Sequence, residues 1–268
     1  MLPDAPSEEL LAAFLAAHAQ GSAVPAALFA RGAELHHRLA AAPPASPAWG
    51  RFLVAMGQLA AEHLDDAQAA SRYFLAALQG VAHHGDIEAA VTAGYDQGVL
   101  QERRGNPTHA RAAYRAAAAE GLRLGAIAAN TLRAGTAAVR LAFAAYGELG
   151  EFAPLLKQTW LGWLWLRRHD PAQLDAPLTS ELGRQLAAFL LPEDDPGELI
   201  HQWRAWPPGA LTIATTDGPL TWADGLAACR DELFAAAAAA ADEHLRDEGP
   251  DPGAPYRLLR AAAQRQGD

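Results

Sequence analysis

From residue 7 to about residue 168, alanine- and leucine-rich segments alternate with short breaks of proline, glycine, serine or aspartate. The first segment, SEELLAAFLAAHAQG, predicts a helix with Ser7 as its N-cap, acidic residues in its first turn and Gly21 just beyond its end. Pro25 suits the first turn of a second helix, to about Ala42. After the break APPASPAW, Ser46 and Pro47 predict a third start, with an end near Leu64. Asp65-Asp66 opens a fourth helix, which ends near His83-His84-Gly85-Asp86. Asp86 caps a fifth to Arg104, where Gly105 fits the position after the end, and Asn106-Pro107 starts a sixth. Further helices are predicted over about 126–146 and 151–168.

Beyond Asp170 the pattern changes. HDPAQLDAPLTSEL and LPEDDPGEL are rich in proline and acid, and ALTIATTDGPLTW holds the only alternating β-branched stretch. Its Asp217-Gly218 predicts a short β-hairpin near 211–222, although Pro219 weakens one arm. A long alanine-rich helix is predicted after Trp222, then a flexible link. Two regions follow: a helical-hairpin region over 1–168, and a less regular, mostly helical region over 169–268 that caps it.

The chain repeats itself. A shift of 41 residues places Gly57 on Gly98, Leu59 on Leu100, Ala69 on Ala110, Tyr73 on Tyr114, Ala76 and Ala77 on Ala117 and Ala118, and Gly80 on Gly121. The Gly and Tyr matches carry the signal, because alanine-rich sequence matches itself by chance. Gly57, Ala69, Tyr73, Ala76 and their counterparts Gly98, Ala110, Tyr114, Ala117 resemble the tetratricopeptide repeat family over about 50–124. Small residues let paired helices approach, and the aromatic fills the space beside them. The chain departs from that family in its period, in lacking an early tryptophan and in lacking a closing proline. A HEAT-like or other helical repeat fits the same pattern. The resemblance implies an all-α solenoid of stacked antiparallel helix hairpins, with the first helix of each hairpin on a concave surface. Arg51, Gln58 and Glu62 would line that groove in one copy, and Thr92, Tyr95, Glu102 and Arg103 in the next.

Composition narrows the function. A net charge of −10 argues against general affinity for nucleic acid or acidic membrane. Residues 101–140 run the other way, with seven arginines against Glu102 and Glu120. Arg104, Arg111 and Arg115 there form a basic patch suited to an acidic protein or peptide partner, or to a solvated face. Lys157 is the only lysine; the arginine and alanine excess fits a GC-rich bacterial genome. With a single cysteine, Cys229, the chain forms no internal disulfide. No export signal or membrane span is visible, so a cytoplasmic protein is expected.

Few residues suggest chemistry. Glu34 and His37 share a helix face at a spacing found in di-iron bundles, but no second Glu-x-x-His occurs. His63 with Asp66 has the same spacing across a helix boundary. His83 to Asp86 reads as a helix end followed by a cap. Cys229 sits in an apolar run that suits burial. Trp160, Trp163 and Trp165 make one helix apolar on all sides, which predicts either an internal core, shared with Trp203, Trp206 and Trp222, or a homodimer interface. The expectation is a non-enzymatic protein- or peptide-binding scaffold without cofactor. The alternatives are a small all-α metal-dependent enzyme using Glu34 and His37, and a homodimeric structural protein.

Overall fold

The computed structural model describes residues 6–21, 24–146, 152–190 and 212–221. They are almost entirely helical and divide into two compact units, up to Ala117 and from Ala118.

The first unit opens with α1 (Ser7–Ala19) and α2 (Pro25–Leu39). Helix α2 buries Leu28, Gly32, Leu35 and Leu39, a spacing that puts all four on one face. Helix α3 (Pro47–His63) buries nearly every residue from Trp49 to Ala60, because it packs against α1, α2, α4 and α6 at once. Helices α4 (Ala67–Gln79) and α6 (Ile87–Arg103) flank the short α5 (Val81–His84). The core gathers Leu11, Phe14, Leu35, Phe52, Met56 and Phe74. Fully burying such a side chain stabilises the fold by about 1.5–3 kcal/mol.

Chain turns follow capping chemistry. Asp66 Oδ1 accepts from the Ala69 amide at 2.9 Å, and Asp86 Oδ1 from the Ala89 amide at 2.9 Å, so both aspartates cap as the sequence predicts. Gly105 takes φ +74°, as a residue after a helix end requires. Ser7 differs: it is the first helical residue, and Pro6 occupies the cap position without a side-chain bond. Ser46 holds its predicted place, yet its hydroxyl makes no capping bond. The fourth predicted helix also breaks at Gly80, which lets α5 fold back so that His84 is buried.

Glycines set the helix approaches. A methyl group at Gly57 would collide with the Phe74 ring of α4, and one at Gly98 with the Tyr114 ring of α7 (Pro107–Leu124). The two helix pairs thus share a glycine-under-aromatic contact. The aromatic equivalent to Tyr114 is Phe74, one position from the Tyr73 that sequence alignment selects. Tyr73 instead is half-buried against Phe29 of α2, with ring centroids 6.1 Å apart, and His36, at 5.3 Å. Both turns have three residues, but α3 runs six residues beyond Gly57 where α6 runs five beyond Gly98, which shifts the matching aromatic by one position on the second helix.

In the second unit, α8 (Ala129–Tyr146), α9 (Ala153–His169) and α10 (Ala176–Leu190) pack on one another. Helices α8 and α9, which the sequence groups with the hairpins, therefore share a core with α10. Trp160 and Trp163 are buried there, and Trp163 Nε1 donates to Thr179 Oγ1 at 3.3 Å. Gln185 Nε2 donates to the Thr136 carbonyl at 2.8 Å. Helix α10 starts where Asp175 Oδ1 accepts from the Leu178 amide at 2.8 Å, with Pro177 in the first turn. The predicted β-hairpin is present as β1 (Thr212–Thr215) and β2 (Gly218–Thr221). Pro219 opposite Ala214 is tolerated because a two-stranded ribbon consists of edges only. Buried Ile213 and a 3.1 Å bond from Gln158 Nε2 to the Thr212 carbonyl tie β1 to α9. Cys229, Trp203, Trp206, Trp222 and the long helix predicted after Trp222 lie outside the described residues. So does the 147–151 turn of the predicted third hairpin.

Candidate functional site: a groove along α1, α3 and α6

Helices α3 and α6 run side by side in parallel, joined by two polar bridges. Arg51 Nε donates to Asp86 Oδ2 at 2.8 Å. Two turns along α3, Gln58 Nε2 donates to Asp96 Oδ2 at 2.8 Å. Helix α1 packs against the same side of α3, and the three helices enclose an open groove of about 460 Å³. It is lined by apolar Leu15, Val54, Ala55 and Ala89 and by polar His18, Arg51, Gln58, Asp86, Glu88 and Thr92.

Helical periodicity produces this arrangement. Arg51, Gln58 and Glu62 recur along one face of α3, and Glu88, Thr92 and Asp96 along one face of α6. Asp86 is the best anchored of the polar groups. One carboxylate oxygen caps α6, the other meets Arg51, and its amide donates to His84 Nδ1 at 3.1 Å. With Nδ1 accepting, His84 Nε2 donates to the Ala77 carbonyl at 2.9 Å, which fixes a neutral tautomer. Both ring nitrogens of His84 are thus engaged by the backbone.

Electrostatics concentrate at the far end of the groove. Burial pushes the Asp96 carboxyl up to about 6 against the Gln58 hydrogen bond; Glu62 adds to the rise and Arg103 opposes it. Burial also lowers the His18 imidazole below its ordinary value, while Glu62 acts in the opposite direction.

Of the groove residues expected from sequence, Arg51, Gln58 and Thr92 line the cavity. Glu62 and Arg103 are exposed and act on Asp96 through charge. Tyr95 and Glu102 turn towards α7: the Tyr95 and Tyr114 rings lie 5.6 Å apart, and Tyr114 Oη donates to Glu102 at 3.1 Å. Asp96 escaped the sequence reading, although it stands one turn after Thr92. His18 and Leu15 escaped it too, because only the fold brings α1 beside α3.

The other sequence candidates are placed as follows. Glu34, His37 and His63 are exposed, and no group of three His, Cys, Asp or Glu among the described residues is arranged to hold a metal. Arg104 and Arg115 are exposed and Arg111 is half-buried. Elsewhere in the basic segment, Arg123 Nη2 meets Glu120 at 2.6 Å and Arg133 Nη2 meets Asp175 at 2.6 Å. Trp165 is half-buried, with its ring 4.4 Å from that of His169.

No protein-family model matches the sequence, and no curated protein matches it either. The class defined by fold and groove is an all-α, multi-helix protein; among its described residues no helix is long and apolar enough to cross a membrane.

Proposed function

We propose that the chain is a non-enzymatic scaffold whose first unit stacks antiparallel helix hairpins, α1–α2, α3–α4 and α6–α7, in the manner of tetratricopeptide repeats. Its groove holds an extended or helical segment of a partner protein. The observation that carries this is the 460 Å³ groove itself, lined by α1, α3 and α6 with both apolar and polar side chains. Apolar floors bind side chains and polar rims set register and orientation. The shared glycine-under-aromatic contacts of Gly57 with Phe74 and Gly98 with Tyr114 support equivalent pairs. Ion pairs within the chain take up part of the basic charge of residues 101–140, which makes the groove the better-supported docking surface.

Photo-crosslinking in the native cell tests this. A photo-reactive residue at Thr92 should capture a discrete partner, and one at Leu75, exposed on α4, should not. Equal capture at both positions, or none at Thr92, removes the groove from consideration.

A further inference from the structure

We draw no further inference here: the strongest candidate, the wall of the α1–α3–α6 groove that carries His18 and Arg51, belongs to the site already described, and nothing in the structure shows what covers it.

Discussion

Asp96 is held against its electrostatic interest, and this has a measurable consequence for folding. Its folded-state value of about 6 lies above the ordinary aspartate value of 3.8, so the native state binds more protons than the unfolded state between those limits. Stability from this group is therefore greatest below about pH 4 and declines as the pH rises to about 6. Asp96→Asn should remove that decline and raise stability at neutral pH by about 1 kcal/mol, a figure discounted for partial solvent screening. Urea unfolding of both proteins at pH 4 and pH 7 checks it; a destabilised variant at pH 7 would contradict the account. Lys157 makes the complementary case. It is buried on α9, and burial lowers its ammonium to about 7. Its folded-state value is depressed, so the cost of holding it is largest below about pH 7 and shrinks towards pH 10. Lys157→Met should stabilise the protein at pH 7 by about 1–2 kcal/mol and by less at pH 9. An equal gain at both pH values in chemical unfolding would show that the charge is not the cause.

At the scale of elements, caps and close approaches carry the organisation. Asp86 caps α6, meets Arg51 and positions His84, so Asp86→Ala should cost about 1–2 kcal/mol. Arg51→Ala should cost less than about 0.5 kcal/mol, because the Arg51 side chain is 62% exposed. Paired melting curves separate the two, and equal losses would mean that the ion pair, not the cap, is the main contribution. Gly57→Ala and Gly98→Ala push a methyl into the Phe74 and Tyr114 rings. Overpacking of this kind costs about 1–3 kcal/mol, which should outweigh the roughly 1 kcal/mol that alanine gains over glycine within a helix. Both variants should melt lower than the parent; unchanged midpoints would mean that the rings move aside freely. Most element starts were legible because they are local: Asp66, Asp86, Pro25, Pro47 and Pro107 act within one turn. Helix α10 obeyed the same grammar, Asp175 followed by Pro177, but the surrounding proline and acid obscured it.

At the scale of the whole molecule, each compact unit has its own core and its own use of small residues. In the first, glycine lets α3 approach α4 and α6 approach α7, and α1, α3 and α6 line a continuous groove. In the second, the apolar faces of α9 are consumed internally, with Trp160 and Trp163 fully covered, which accounts for its all-round hydrophobicity within one chain.

The sequence by itself determined the helical class, most helix starts, the short β-hairpin and the glycine positions where helices cross. All of these follow from interactions within a few residues or from the steric smallness of one side chain. The tertiary structure decided which aromatic meets which glycine, that α8 and α9 pack with α10, that Leu15 and His18 join the groove, and that Asp96 meets Gln58. Those outcomes depend on helix rotation and on neighbours far away in sequence, where one extra helical residue between Gly57 and the end of α3 is enough to exchange Tyr73 for Phe74.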